Sequence, residues 1–152
     1  MRGKANTEQN FRLEIRRVIK ATRDRVYAAW TDPAQLKEWF GPENVRTRDI
    51  AADAREGGEF RWDLINQDGK AMTIGGEFRV LQPGRKIVFT WWWEDNEDWG
   101  TQVSVVTVEL SDRDGGTELL LTHEKLPTQQ LREGHHEGWN SALDKLGIFL
   151  TK

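Results

Sequence analysis

The chain has 152 residues, a length typical of one domain that buries about two thirds of the surface exposed in its unfolded state. Its 22 lysines and arginines are mixed evenly with 25 aspartates and glutamates, and the formal net charge of -3 disfavours extended binding to nucleic acid. The absence of cysteine excludes disulfides, thiolate nucleophiles and zinc–thiolate sites, and no apolar run approaches the roughly 18 residues that would span a membrane.

The start of the sequence is polar and lacks the apolar stretch of a secretory signal. We expect a flexible tail over residues 1–10, followed by a single domain over residues 11–152. With neither a signal nor a predicted membrane span, the expected localisation is cytoplasmic.

A half-buried strand and two short helices are predicted first. Apolar residues alternate with polar ones from Phe11 to Ile19, although Arg17 falls on the apolar face. A short helix is predicted after Thr22. The sequence Asp32-Pro33-Ala34-Gln35 has a capping-box pattern that begins a second helix, with Pro33 at its first position, and Gly41-Pro42 ends it.

The middle of the chain divides into short strand-type runs separated by turn sequences such as Asp68-Gly69 and Gln82-Pro83-Gly84-Arg85. This pattern predicts an antiparallel meander with runs near 45–53, 59–66, 70–81, 86–94, 101–111 and 117–124. After Pro127, apolar residues recur at helical spacing and predict one terminal helix of about 20 residues or more.

This order of elements predicts an α+β fold. Because so few helices cannot cover both sides of the sheet, we expect the sheet to curve around the C-terminal helix, which packs on the concave face. Three glycines, Gly134, Gly138 and Gly147, lie in that helix, and each costs roughly 1 kcal/mol relative to alanine. They indicate close packing on the sheet or a frayed start, or else space beside the helix for a ligand.

Tryptophan is abundant, with eight residues that include Trp91, Trp92 and Trp93 in one strand-type run. Alternate residues of a strand face opposite sides of the sheet, which assigns Val80 with the apolar set to the concave side and Trp92 to the outer side. The predicted cavity-lining residues are Phe60, Trp62, Phe78, Phe89, Trp91, Trp93 and Trp139. Trp92 is expected to lie flat on the outer surface or to mark a partner interface.

Two polar residues, Arg17 and His123, fall on apolar faces of the first and last strands. One hypothesis makes them polar ligand contacts, since arginine binds carboxylates or phosphates and histidine can donate or accept. The alternative is an arginine paired with an internal acid and a histidine bonded to backbone. Trp99, beside the acidic segment 94–98, is interpreted as a gate at the cavity mouth or as an ordinary loop residue.

Catalytic chemistry is not evident in the sequence. Acidic residues of the meander such as Glu59 and Glu77 fall on the outward face, so no carboxylate pair for acid–base catalysis is predicted. His135-His136-Glu137 lacks the spacing of a zinc-binding helix, because adjacent helical residues point about 100° apart. We predict no catalytic residue, no metal site and no cofactor, and favour binding over catalysis.

Several segments share their order and spacing with one family, over about residues 11 to 150. They include Ala29-Trp30-Thr31-Asp32-Pro33, Trp39-Phe40-Gly41-Pro42, Gly57-Gly58-Glu59-Phe60, Gly76-Glu77-Phe78, Phe89-Thr90-Trp91 and Gly138-Trp139. Together they resemble the SRPBCC or START-like helix-grip superfamily, in the AHSA-type branch of the activator of heat-shock protein 90 ATPase. The resemblance implies a curved seven-stranded antiparallel sheet and a C-terminal helix that enclose a cavity, which in the superfamily often holds lipids, sterols, polyketides or other hydrophobic molecules.

Three functions are therefore considered. The first is binding of a small hydrophobic or aromatic ligand in this cavity, as a carrier, a sensor, or a resistance or biosynthesis helper. The second is a protein-interaction module resembling the chaperone activators, with the outer surface around Trp92 as its interface. The third is a cofactor-free cyclase, dehydratase or hydrolase that uses Arg17, His123 and water. A homodimer is a further alternative, suggested by the surplus of aromatic residues.

Overall fold

The strands and helices follow the predicted order in the structure, a computed structural model that describes residues 11–42 and 44–151. The predicted tail over residues 1–10 lies outside the described residues. The elements are β1 (Phe11–Ile19), α1 (Arg23–Thr31), α2 (Pro33–Trp39), β2 (Arg46–Ala52), β3 (Glu59–Ile65), β4 (Ala71–Gln82), β5 (Lys86–Trp93), β6 (Ser104–Arg113), β7 (Gly116–Leu126) and α3 (Gln129–Leu150).

The seven strands form one antiparallel sheet in the order β1-β7-β6-β5-β4-β3-β2. Consecutive strands from β2 to β7 are neighbours, and β1 pairs with β7 at the far edge. The sheet curves around α3, as the apolar patterning and the family resemblance predict. The α+β helix-grip fold, with two short helices after the first strand, is therefore confirmed.

One aspartate serves both short helices. The Asp32 backbone N–H donates to Ala28 O at the end of α1, and its Oδ1 accepts from Ala34 N at the start of α2. Because the Asp32 N–H is already bonded, the Gln35 amide does not complete a capping box there and instead donates to Asp32 Oδ2 at 3.2 Å. The chain therefore turns between α1 and α2 without a linker.

Helix α3 contributes one apolar side to the core. Thr128 caps its start by accepting from Leu131 N at 3.1 Å. Its buried residues are Trp139, Ala142, Leu143, Leu146 and Leu150. Full burial of each large apolar side chain contributes about 1.5–3 kcal/mol, so packing on the sheet offsets the cost of the glycines in the helix. Of the described helices, none is long and apolar enough to cross a membrane.

A β-bulge changes the facing of β4. Phe78 pairs with Phe89, but Val80 then pairs with Val88, and the register shifts between them. Directly opposed residues share a face, and Val88 lies on the outer side between the buried Ile87 and Phe89. The predicted concave position of Val80 is therefore wrong, because the extra residue reverses the alternation beyond Phe78.

Candidate ligand-binding cleft

A cleft of about 550 Å³, partly open to solvent, lies between α3, the strands β3 to β5 and the segment that follows α2. Its walls are mainly apolar, and polar side chains lie at its rim. This combination is typical of sites that bind small hydrophobic molecules. The apolar lining comprises Phe40, Val45, Leu64, Met72, Ile74, Trp91, Trp93, Leu131, Trp139 and Ala142, and the polar lining includes Asn96, Asp98, Thr128 and Gln130.

The helical wall of the cleft is bare where Gly134 and Gly138 lie one turn apart on α3. A Cβ added to either glycine would meet no atom within 4 Å, and the same holds for Gly147, which does not line the cleft. Close packing of helix on sheet therefore does not explain these glycines. At Gly134 and Gly138, the missing side chains leave open space inside the cleft.

Behind and within the walls, tryptophan and histidine side chains form a hydrogen-bonded group that we call the indole–imidazole cluster. Trp93 Nε1–H donates to His135 Nε2 at 2.8 Å, and Trp139 Nε1–H donates to His123 Nδ1 at 3.0 Å. The two imidazole rings lie 5.4 Å apart, edge to face. The cluster comprises these four hydrogen-bonded residues together with Trp91 and Trp99, whose rings pack against them without a hydrogen bond to either histidine.

These donors fix the histidine tautomers. The His123 Nδ1 accepts, so its Nε2–H donates to Ser104 Oγ at 2.8 Å. The His135 Nε2 accepts, so its Nδ1–H donates to Leu131 O at 2.7 Å. Protonating either ring would set a second N–H against an indole N–H. Burial lowers the pKa of His123 well below its ordinary value and also lowers the pKa of His135.

The contact between Ser104 and His123 is not a nucleophile–base pair in this arrangement. Ser104 Oγ donates to Trp91 O at 2.7 Å, while His123 Nε2 already carries the proton that it donates to the hydroxyl. A general base must instead accept the hydroxyl proton. Ser104 and His123 are also fully buried. The geometry therefore fits a structural network.

The structure places three of the predicted lining residues, Trp91, Trp93 and Trp139, in the cleft wall. The other four aromatic residues, Phe60, Trp62, Phe78 and Phe89, pack behind it as a buried layer. Trp62 connects the two groups: its ring is stacked 4.4 Å from Phe60 and lies 5.9 Å from Trp91. Ligand contact by this second group stays a prediction.

The structure does not bring Arg17 and His123 together. Arg17 pairs with Leu119 of β7, whereas His123 pairs with Leu13, four residues and roughly 13 Å farther along the strand. Neither side chain lines the cleft. The Arg17 guanidinium bonds α3, through Asp144 Oδ1 at 2.7 Å and Asn140 Oδ1 at 2.9 Å. This contact clamps β1 to the helix.

Replacing Arg17 by methionine tests its role. We expect the free energy of unfolding to fall by about 1 kcal/mol, because charge-assisted hydrogen bonds to α3 are lost, and ligand affinity to stay unchanged. Arg16→Met is the control, since Arg16 lies on the outer face of β1 and bonds Glu118. Urea unfolding of both variants measures the difference, and a loss of ligand affinity in Arg17→Met would restore the ligand-contact hypothesis.

Several cleft residues were not among the sequence candidates. Phe40, which directly precedes the Gly41-Pro42 end of the second helix, lines the cleft, and its ring packs edge to face with that of Trp139 at a centroid distance of 5.9 Å. His135 recurs at helical spacing with the apolar residues of the terminal helix, which is a signal for the cleft, but it was not among the predicted lining residues. Among the described residues, no group of three His, Asp or Glu side chains could hold a metal ion.

Trp92 and Trp99 have structural positions of their own. Trp92 is half-buried on the outer face of β5 and lies across Gly75, where an added Cβ would come within 2.6 Å of its Nε1. Trp92 therefore lies flat on the sheet, as one of its two interpretations predicts. Trp99 is buried rather than exposed in a loop, and its ring lies 5.4 Å from that of His135.

Solved structures similar to this chain span nearly its whole length. Protein CV1439 from Chromobacterium violaceum has a TM-score of 0.82 and 27% identity, covering 95% of this chain and 98% of that one. The AHSA1 protein from Silicibacter pomeroyi has a TM-score of 0.80 and 27% identity, covering 93% and 98%. CalU16 from Micromonospora echinospora is 31% identical, with a TM-score of 0.70, and covers 91% and 75%.

A comparison with curated proteins gives no match. The family AHSA1, described as Activator of Hsp90 ATPase homolog 1-like protein, matches residues 20–151. That range includes both short helices, six of the strands and the helix α3. The chain therefore belongs to the AHSA1 family of Activator of Hsp90 ATPase homolog 1-like proteins.

Proposed function

We propose that this protein binds a small, largely apolar, ring-containing molecule in the cleft, as a carrier or sensor. The observation that carries the proposal is the bare stretch of α3 at Gly134 and Gly138, which faces the cleft opposite tryptophan walls. Two glycines destabilise a helix by about 2 kcal/mol relative to alanine. No close contact accounts for them, whereas a ligand lying against the helix does.

The size and composition of the cleft support the same function. A volume of about 550 Å³ falls within the range of roughly 300–1,000 Å³ typical of small-molecule sites. Trp91, Trp93 and Trp139 provide broad, rigid surfaces for stacking against a planar ligand. Their hydrogen bonds within the indole–imidazole cluster hold Trp93 and Trp139 in place before a ligand binds, which lowers the entropic cost of binding.

Titration with N-phenyl-1-naphthylamine, a neutral aromatic probe, tests this function. We expect saturable binding at one site, followed by the increase in probe fluorescence. Trp93→Leu should weaken binding about tenfold, because it removes a stacking surface from the wall. Trp92→Leu is the matched control, since Trp92 immediately precedes Trp93 in β5 but lies on the outer face.

Two results would contradict the proposal. One is the absence of saturable probe binding to the folded protein. The other is equal weakening by Trp92→Leu and Trp93→Leu, which would place the probe outside the cleft. Native mass spectrometry of protein purified from its own cells provides an independent check, because a retained ligand would add a discrete mass.

The alternatives have less support. Trp92, on which the interaction module depends, packs on Gly75, and this contact accounts for its position without a partner. Arg17 on β1 and His123 on β7, on which the enzyme depends, lie four residues apart in strand register and are held by α3 and Ser104 respectively. Chaperone binding, catalysis and homodimerisation stay predictions.

A further inference from the structure

The formal charge of the described residues that line the cleft has one sign. Of the described lining residues, Asp98 and His135 are the ionisable ones, and Asp98 belongs to the acidic segment 94–98. His135 is neutral in its hydrogen-bonded state, because its Nε2 accepts from Trp93. The net formal charge contributed by the described lining is therefore negative, and it lies at the polar rim.

The loop that carries Asp98 is anchored by the residue next to it. Trp99 is only 2% exposed, and its Nε1–H donates to Gln102 O at 2.7 Å. Its backbone N–H donates to Asn96 Oδ1 at 3.0 Å, which closes the loop. The Trp99 ring packs against His135 of α3. These contacts fix the backbone beside Asp98, whose side chain lines the cleft.

The aromatic walls offer π surfaces more than hydrogen-bond donors. The indole N–H groups of Trp93 and Trp139 are bonded to histidines, and the Trp91 N–H is buried without a partner in the described part of the chain. The rings are not parallel: Trp91 and Trp93 meet at 83°, and Phe40 and Trp139 meet at 78°. The π face of a tryptophan ring attracts an ammonium group, so the indole rings that line the cleft favour a cationic ligand.

We propose that the ligand class is a hydrophobic amine, a ring-bearing molecule whose protonated or quaternary nitrogen lies between the tryptophan walls and Asp98. This proposal rests on the proposed function, since it assumes that the same cleft binds the ligand. The apolar walls hold the rings, and the rim carboxylate and aromatic faces both stabilise the positive charge.

Among the described lining residues, those at the N-terminus of α3 oppose this proposal, because Thr128 and Gln130 also line the mouth. A helix N-terminus acts as about half a positive charge, whereas Asp98 carries a full negative charge. Thr128 Oγ1 also accepts from Leu131 N, so one of the free N–H groups is already satisfied. The balance at the mouth therefore favours a cation over an anion.

Three acridines of similar shape test the proposal. At neutral pH, 9-aminoacridine is a cation, acridine is neutral and acridine-9-carboxylate is an anion. Isothermal titration calorimetry should show that 9-aminoacridine binds about tenfold more tightly than acridine, with the carboxylate weakest. Raising the salt concentration should narrow the difference, because the rim carboxylate is exposed to solvent.

Asp98→Asn assigns the effect to one carboxylate. This variant should lose about threefold or more in affinity for 9-aminoacridine and keep its affinity for acridine. Glu97→Gln is the control, since Glu97 is the preceding exposed residue of the same loop and does not line the cleft. It removes the same charge from the chain but not from the cleft, so the affinities for 9-aminoacridine and acridine should both stay unchanged.

The outcomes separate this proposal from the function on which it rests. Equal affinities for acridine and 9-aminoacridine, or equal effects of Asp98→Asn and Glu97→Gln, would overturn the amine proposal while acridine binding still supports the cleft. If 9-aminoacridine still binds after Gly138→Leu has filled the cleft, the amine is attracted to the charged surface rather than to the cleft, and the amine proposal is wrong. Failure of all three acridines to bind would overturn both the ligand class and the cleft function.

Discussion

Gly138→Leu is expected to reduce binding of N-phenyl-1-naphthylamine about a hundredfold, which corresponds to about 2.7 kcal/mol. The new side chain would extend from α3 into the cleft, because a Cβ at this position meets no atom within 4 Å. The same change should raise the free energy of unfolding by about 0.5–1 kcal/mol, since leucine favours a helix over glycine. Probe titration and urea unfolding measure the two effects separately.

Gly147→Leu is the matched control. Gly147 lies in the same helix, and an added Cβ there also meets nothing within 4 Å, but the residue does not line the cleft. The gain in stability should therefore be similar, while probe affinity stays at the level of the unmodified protein. Equal losses of affinity in both variants would show that the helix, rather than the filled space, controls binding. Loss of affinity in neither would show that the probe binds elsewhere.

The free energy of unfolding is expected to fall by about 2 kcal/mol as the pH is lowered from about 7.5 to about 5.5. Burial lowers the pKa of both His123 and His135 in the folded protein. In the unfolded chain, both titrate near their ordinary pKa of 6.5. Below that pH, the unfolded state binds protons that the folded state excludes. The stability that the two neutral histidines contribute is therefore fully present above their unfolded pKa of 6.5 and is lost as the pH falls below it.

Urea unfolding across this pH range measures how the free energy of unfolding depends on pH. The variant His135→Gln shows how much of that dependence is due to His135. Glutamine can still accept the Trp93 Nε1–H but cannot titrate. The variant should therefore lose up to half of the pH dependence, with His123 responsible for the remainder. A free energy of unfolding that stays constant over this range would contradict the account of two histidines that stay neutral in the folded protein. Carboxylates titrate mainly at lower pH and contribute little in this window.

The fold could be predicted because its local signals agree. Alternation in β3, with Phe60, Trp62 and Leu64 buried and Glu59 and Arg61 exposed, fixes the facing of that strand. The helical spacing of apolar residues after Pro127 placed the terminal helix, which begins at Gln129. The error at Val80 arose because a bulge at this point depends on pairing with the neighbouring strand, which periodicity does not reveal.

The candidate site could be predicted only in part. The alternation of residues along β5 identifies Trp91 and Trp93 as inward-facing. It cannot distinguish a wall that faces open space from a packed layer such as Phe78 and Phe89. That distinction depends on how far α3 lies from each strand. The contribution of Asp98 depends on a loop whose position is set by tertiary contacts of Trp99, and these contacts have no periodic pattern.

The close tilted arrangement of indoles in the cleft wall has an optical consequence. Trp91 and Trp139 lie 5.2 Å apart at 47°, and Trp91 and Trp93 lie 6.0 Å apart at 83°. Transition dipoles at such short separations and oblique angles couple as excitons, so these chromophores absorb left- and right-circularly polarised ultraviolet light unequally as a group. The wall thereby carries an intrinsic spectroscopic reporter, and a guest that changes the tilt of one ring would alter the near-ultraviolet circular dichroism of the whole set without any label.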